Sequence, residues 1–144
     1  MARCVPDTGA QVSVTTEDMV NGFPLLANLA SKEGRGFTSA SKHTIPCVGE
    51  YDLPTQSPEG VWTRQRWQVA PEGTVARPLL SIGEECDSER FVLFGKNGGA
   101  IIDQQSGAVR KFPRLANGAY EIEMWIPPAD LVETVKPGFT RRGS

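Results

Sequence analysis

The sequence predicts a small, mainly β domain with one short helix, and three features of it carry that prediction. The chain has 144 residues, which suits a single domain with its own hydrophobic core. It contains 15 Gly and 11 Pro, a density that would interrupt long helices repeatedly. Toward the C-terminal end, apolar residues alternate with Glu121 and Glu123, which is typical of a strand with one buried face.

The predicted elements follow one another from the N-terminus. A tight turn at residues 7–10 leads into a strand at residues 11–14. Thr16 then suits the N-cap of a short helix or turn within residues 15–19. Two longer strands, residues 43–51 and 61–70, flank a Ser-Pro-Glu-Gly turn and predict a hairpin. The later strands are predicted at residues 90–94, 100–103 and 120–126, with turn signals at Gly98-Gly99 and Ser106-Gly107.

One helix is predicted, over residues 78–86. Pro78 suits the first turn of a helix, where its missing N–H removes no hydrogen bond. The apolar side of this helix would be formed by Leu79, Leu80, Ile82 and Cys86.

Charge and hydropathy exclude several classes of protein. The formal net charge is −2 and no basic excess is visible, so a nucleic-acid partner is not expected. No apolar run approaches the roughly 20 residues of a membrane helix, and the N-terminus lacks the apolar stretch of a signal peptide. Cys4, Cys47 and Cys86 are odd in number and widely spaced, which predicts buried free thiols in a reducing compartment, the cytoplasm.

The triplet Asp7-Thr8-Gly9, followed by Ala10, is the candidate for chemistry. An aspartic protease needs a carboxylate at a tight turn between strands, and Gly9 would allow the backbone to approach it closely. The Thr8 hydroxyl would brace the matching turn of a partner. Such an enzyme needs two carboxylates about 3 Å apart that share one proton, because both cannot ionise at that distance. The chain has one such triplet, so this chemistry demands a homodimer, although the triplet alone also fits an ordinary turn.

Two blocks of residues go beyond the triplet. The first is residues 7–11, and the second joins the Ala-Arg-Pro-Leu-Leu-Ser-Ile of residues 76–82 to the Phe-Val-Leu-Phe of residues 91–94. Together they resemble the retropepsin-like domain of copia-type retrotransposon polyproteins, whose second block reads R-x-L-L-S-V. Residues 101–103, 106–107 and 117–120 resemble the extension found in such elements, so that the similarity covers most of residues 5–126.

The resemblance implies a fold, an activity and a set of site residues. The fold would be a small, closed or partly closed β-barrel of the retropepsin (acid protease) type with one short helix, spanning residues 1–128 and followed by a polar, flexible tail at 129–144. The activity would be hydrolysis of an extended peptide in a polyprotein by a homodimer, with no cofactor. Asp7, Thr8 and Gly9 would be catalytic, and Ala10 would lie beside the substrate cleft. The hairpin within residues 43–70 would be a flap, and Arg77 a structural basic residue beside the helix.

The chain also departs from that family. Only six residues precede Asp7, where the family has a further strand, so the N-terminal strand is expected to be truncated. Pro6 cannot donate a hydrogen bond within a sheet, and Ala76 stands where the family has a small Gly. An alternative function is therefore a catalytically inactive remnant of the fold or a peptide-binding module.

A metal site is not predicted. His43 is the only histidine, and its spacing from Cys47 occurs in zinc sites. The sequence offers no paired Cys-x-x-Cys and no second histidine to complete such a site, so His43 is interpreted as a residue at a strand edge.

Two further groups of residues are interpreted structurally. Trp62, Trp67 and Trp125 lie on predicted strands and are expected in the core or half-buried in a sheet, rather than on a surface that grips peptide. The glutamates at residues 84, 85, 121 and 123 are expected on solvated faces.

Overall fold

The computed structural model describes residues 2–19, 23, 25–28, 36–38 and 44–128. The strands in this part of the chain are β1 (Ala2–Asp7), β2 (Val14–Thr16), β3 (Gly36–Thr38), β4 (Thr44–Pro46), β5 (Gly49–Gln56), β6 (Trp62–Ala70), β7 (Leu79–Ser81), β8 (Arg90–Gly95), β9 (Gly98–Asp103), β10 (Val109–Pro113) and β11 (Ile122–Met124). A 3-10 turn covers Glu17–Met19, and helix α1 covers Ile82–Asp87. The prediction of a mainly β chain with one short helix is confirmed. The predicted tail, residues 129–144, and His43 lie outside the described residues.

Six of the strands form one curled sheet in the order β11-β1-β7-β2-β6-β5. The pairings β1–β7 and β2–β6 are parallel, whereas the other neighbours are antiparallel. The two edges of the sheet meet where Gln56 and Trp125 exchange backbone hydrogen bonds of 2.8 Å in both directions. The expectation of a partly closed barrel is confirmed to this extent.

The predicted hairpin is β5–β6, in continuous antiparallel register from Gly49↔Val69 to Gln56↔Trp62. Its turn is the predicted one: the N–H of Gly60 donates to the carbonyl of Ser57 at 2.9 Å, and Gly60 has a φ of +89°, which favours glycine. Along both strands the residues that face the core alternate with residues that face outward.

A second unit of the fold is the antiparallel sheet β10-β9-β8. The strands predicted at residues 90–94 and 100–103 are confirmed as β8 and β9, and β10 was not predicted. Gly99 allows β9 to pack closely, because a Cβ atom there would lie 2.2 Å from the Leu93 carbonyl oxygen and 2.3 Å from Cζ of Phe112. The third sheet is the short pair β3–β4.

The core lies on the inner face of the curled sheet. Its fully buried side chains include Leu53, Trp67, Val69, Leu80 and Ile101. Trp67 is in the core and Trp62 is half-buried, as expected. Trp125 is exposed and packs edge-on against Trp62, with ring centroids 5.7 Å apart. Among the described residues, no helix is long and apolar enough to cross a membrane.

Four predicted boundaries are wrong. The strand predicted at residues 43–51 is divided, because residues 44–46 pair with β3 as strand β4, and β5 runs from Gly49 to Gln56. The helix begins at Ile82 and not at Pro78, because residues 79–81 pair with β1 as strand β7. The strand predicted at residues 11–14 begins only at Val14, because the chain bends at residues 11–12. The strand predicted at residues 120–126 is reduced to β11, since Tyr120 and Trp125 form only isolated bridges.

Candidate functional site around Asp7

Asp7 is the last residue of β1, and its triplet forms the turn that follows. The N–H of Gly9 donates to Oδ1 of Asp7 at 2.8 Å, so the backbone folds back onto the carboxylate. A Cβ atom on Gly9 would lie 3.3 Å from that same oxygen, which is tighter than most real contacts. The φ of Gly9 is not in the left-handed region. A side chain at residue 9 would therefore displace the Asp7 carboxylate by a few tenths of an ångström.

The solvent access of the turn suits a reactive group. Asp7 and Ala10 are half-buried, whereas Thr8 and Gly9 are exposed. The exposed Thr8 is thus accessible to solvent, as its predicted contact with a second copy requires. That contact stays a prediction.

A strand precedes the triplet, which the sequence had left in doubt. The N–H of Val5 donates to the Pro78 carbonyl at 2.9 Å, and Asp7 lies opposite Ser81 in the parallel β1–β7 register. Successive backbone N–H groups point to opposite sides of a strand, so the nitrogen of Pro6 faces away from β7. On that side the pairing with β11 has already ended at Cys4. Pro6 therefore removes no donor from the sheet, and its place in β1 is tolerated.

The distal end of the turn is fastened to the beginning of α1. The hydroxyl of Ser81 donates to the Ala10 carbonyl at 2.7 Å. The backbone N–H of Ser13 donates to Oε1 of Glu84 at 2.6 Å. The Ser13 hydroxyl accepts from the N–H of Ser81 and from Nε2 of Gln65, both at 2.9 Å. Ser13, Ser81 and Gln65 are all buried, so this network is shielded from water.

Glu85 was expected on a solvated face, and that expectation is wrong. Its side chain is fully buried, and its Oε2 accepts hydrogen bonds from Arg90 and from Arg110, each at 3.1 Å. Arg90 also pairs with Asp103, at 3.5 Å. We call these four residues the Glu85 cluster; it joins α1 to strands β8, β9 and β10.

Glu121 was also expected to be solvated, and this is wrong as well. It is buried and pairs with Arg77, and its Oε1 lies 3.6 Å from Nε of Arg3. Arg77 thus forms an ion pair with a buried carboxylate that lies just before β11. Glu123 is half-buried and also pairs with Arg3, at 3.4 Å.

The hairpin that was expected to be a flap belongs to the core. Leu53 and Trp67 are fully buried, and both strands are part of the six-stranded sheet. Its tip is held by the Gln56–Trp125 hydrogen bonds and by Oε2 of Glu59, which accepts from the Lys111 N–H at 2.8 Å. These contacts hold the tip of the β5–β6 hairpin against Lys111 and Trp125.

One cavity of the described residues has a volume of about 510 Å³ and is lined by residues that include Arg3, Thr16, Asp18 and Glu72. None of the four predicted site residues lines it. The half-buried Asp7 therefore lies outside this cavity.

The three cysteines are free, as predicted, but they are not all buried. Cys4 and Cys47 are buried, whereas Cys86 is exposed. The Cys47 thiol donates to the Gly49 carbonyl at 3.3 Å and lies close to Asn28 and Gln68. Across the described ranges, no group of three His, Cys, Asp or Glu side chains is arranged to hold a metal ion.

No protein-family model matches the chain, and no curated protein or solved structure matches it either.

Alkaline pH is expected to destabilise the fold in part through Cys4. Burial, and then the negative charge of Glu85, raise the pKa of the Cys4 thiol from 9.0 to about 12. The unfolded chain would release this proton near pH 9.0, whereas the folded chain holds it to about pH 12. The contribution of Cys4 to the free energy of unfolding is therefore complete below pH 9.0 and decreases as the pH rises toward 12.

Urea denaturation between about pH 8 and about pH 10.5 measures this effect. Cys4→Ala should show a shallower loss of stability with pH than the unmodified chain. Cys86→Ala is the matched control, because that thiol is exposed, and it should retain the original slope. Equal slopes in Cys4→Ala and the unmodified chain would contradict the assignment.

Proposed function

We propose that the chain is an aspartic endopeptidase of retropepsin type that acts as a homodimer. The observation that carries the proposal is the Asp7-Thr8-Gly9 turn: the carboxylate ends a strand of the main sheet, and the Gly9 N–H holds one of its oxygens at 2.8 Å. The two sequence blocks that resemble copia-type proteases meet at this turn, since Asp7 lies opposite Ser81 in the sheet. This adjacency supports the proposal.

The reaction uses one Asp7 from each of two chains. With the two carboxylates about 3 Å apart, the pair carries one proton. The ionised Asp7 takes a proton from water, whose oxygen attacks the scissile carbonyl carbon, while the protonated Asp7 polarises the carbonyl oxygen. The C–N bond then breaks, the amine nitrogen receives a proton, and the pair returns to its singly protonated state.

The remaining site residues support this chemistry. Thr8 braces the opposing turn of the second chain, Gly9 holds the Asp7 carboxylate, and Ala10 lies beside the bound peptide. The cleft that binds the peptide lies between the two Asp7 turns of the dimer. The substrate is an extended segment of polyprotein, and the setting is the processing of a copia-type retroelement polyprotein in the cytoplasm.

Cleavage of a denatured protein substrate tests the proposal. Activity is expected at about pH 4–6, where a carboxylate pair is singly protonated. Asp7→Ala should abolish it while the folded structure is retained. Asp87→Asn is a suitable control, because Asp87 is an exposed carboxylate at the end of α1. Unchanged cleavage by Asp7→Ala would refute the assignment.

The second candidate is a catalytically inactive member of this fold or a peptide-binding module. It is favoured by the presence of a single Asp-Thr-Gly triplet in the chain, since one carboxylate alone cannot form the pair. Sedimentation at micromolar concentration distinguishes the two candidates. A strict monomer that binds unfolded peptide without cleaving it would support the second.

A further inference from the structure

The beginning of α1 has the sequence signature of a capping box. Ser81 and Glu84 stand at the N-cap and N3 positions, the S-x-x-E spacing in which each residue satisfies an N–H of the other. One half is made within the helix, because the Glu84 N–H donates to the Ser81 hydroxyl at 3.1 Å.

In the other half of the capping box, Ser13 lies between the Ser81 N–H and the Glu84 carboxylate, although it is 68 residues from Ser81 in the chain. The N–H of Ser81 donates to the Ser13 hydroxyl at 2.9 Å, and the carboxylate of Glu84 accepts from the N–H of Ser13 at 2.6 Å. Ser13 is thus inserted between the two capping residues. Because its acceptor is a carboxylate, the Ser13–Glu84 hydrogen bond is charge-assisted.

This insertion connects the helix to the turn that carries Asp7. Ser81 contacts the turn at two points, since it lies opposite Asp7 in the sheet and donates to the Ala10 carbonyl. At the third point, Ser13, the Glu84 carboxylate accepts from the backbone N–H while the hydroxyl accepts from the Ser81 N–H. Residues 7–13 are therefore held at their beginning, middle and end by a single short segment, residues 81–84.

We propose that Glu84 is a positioning residue for Asp7. Its carboxylate holds Ser13 and thereby fixes the end of the Asp7 turn. The proposal rests on the proposed function. Two Asp7 carboxylates can share a proton and a water molecule only if each is held within about 0.5 Å of its working position. A misplacement of about 1 Å can reduce catalysis by about 10²-fold.

Two conservative variants separate the reach of Glu84 from its charge. Glu84→Gln keeps the side-chain length and an oxygen that can accept from Ser13, so kcat should stay within about threefold of the original. Glu84→Asp keeps the charge but is one methylene shorter, so kcat should fall about 10-fold or more with KM little changed. The exposed Asp87 provides the control, and Asp87→Asn should leave both constants unchanged. Equal kcat in Glu84→Asp and the original chain would overturn the proposal, as would a loss in Glu84→Gln as large as that in Glu84→Asp.

A second measurement does not depend on activity. Amide hydrogen exchange at Gly9 and Ser13, followed by NMR, should become faster in Glu84→Asp and stay nearly unchanged in Glu84→Gln. If the original chain cleaves no peptide but exchange responds in this way, the proposed function fails while the role of Glu84 in holding the turn stands. Unchanged exchange in Glu84→Asp would refute that role whether or not the chain is a protease.

Discussion

Replacing Glu85 with alanine is expected to lower the free energy of unfolding by about 3–5 kcal/mol, which is the usual loss when one partner of a buried ion pair is removed. Glu85 is fully buried, and its Oε2 accepts from two guanidinium groups at 3.1 Å each. The side chains of Arg90 and Arg110 are only 6% and 12% exposed. Without Glu85, Arg90 would retain Asp103 at 3.5 Å, but the positive charges would remain in a poorly solvated environment with less compensation.

Urea denaturation followed by circular dichroism measures this loss at neutral pH. The free energy of unfolding of Glu85→Gln should lie between those of Glu85→Ala and the original chain, because its amide oxygen still accepts hydrogen bonds while the charge is gone. Glu72→Ala is the control: Glu72 is an exposed glutamate, and its removal should change stability by no more than about 0.5 kcal/mol. A change of under about 1 kcal/mol in Glu85→Ala would mean that the cluster contributes little to stability.

The Glu85 cluster also shows why helix α1 sits where it does. Glu84 and Glu85 are neighbours in sequence but point to different partners: the first holds the Asp7 turn, and the second holds β8 and β10. The helix therefore links the candidate site to the three-stranded sheet. Its apolar contribution is small, since Ile82 is its one buried apolar residue.

Local pattern was sufficient where neighbouring residues determine the structure. The β5–β6 hairpin was predicted from its turn, where Pro58 and Gly60 act within a few residues, although its first strand was placed at residues 43–51 and lies at 49–56. The pair β8–β9 was predicted for similar reasons. In each case the strand and its partner are consecutive in the chain, so no long-range information was needed.

Local pattern failed where the partner is distant in sequence. Pro78 predicted a helix start, but residues 79–81 pair with β1, more than 70 residues earlier, and Ser81 rather than Pro78 caps the helix. Pro6 argued against a strand before the triplet. The structure shows that Pro6 is tolerated because the pairing of β1 with β11 has already ended at Cys4. The triplet itself was visible in the sequence. Its anchors at Ser13 and Glu84 were not, since they lie 71 residues apart.

The sequence also failed to predict which charged residues are buried. An acidic residue on a short helix or beside a strand is usually solvated, and nothing in its immediate neighbours reveals a partner. Glu85 is paired with arginines 5 and 25 residues further along the chain, and Glu121 with one 44 residues earlier. A signal did exist in the sequence, since Arg90 begins a strand that is otherwise apolar or small in character, but it specifies no partner.

Asp7→Asn is expected to reduce peptide cleavage by about 10²–10⁴-fold or more, because the amide can neither take a proton from water nor share one with its counterpart. The substitution nearly preserves the shape of the side chain, and the amide oxygen can still accept from the Gly9 N–H. Stability should therefore change little. The loss of activity would then report on the carboxylate itself and not on the fold.

Mixing the original chain with Asp7→Asn tests whether two chains form one active site. Equal amounts of the original chain and Asp7→Asn, unfolded together and refolded, would pair at random and leave about a quarter of the dimers with two carboxylates. Activity should then be about a quarter of that of the same total amount of original chain. Chains that each act alone would give about half, which would contradict the shared pair. The same mixing with Asp87→Asn should leave the activity unchanged, since that carboxylate is exposed at the end of α1, away from the Asp7 turn in the chain.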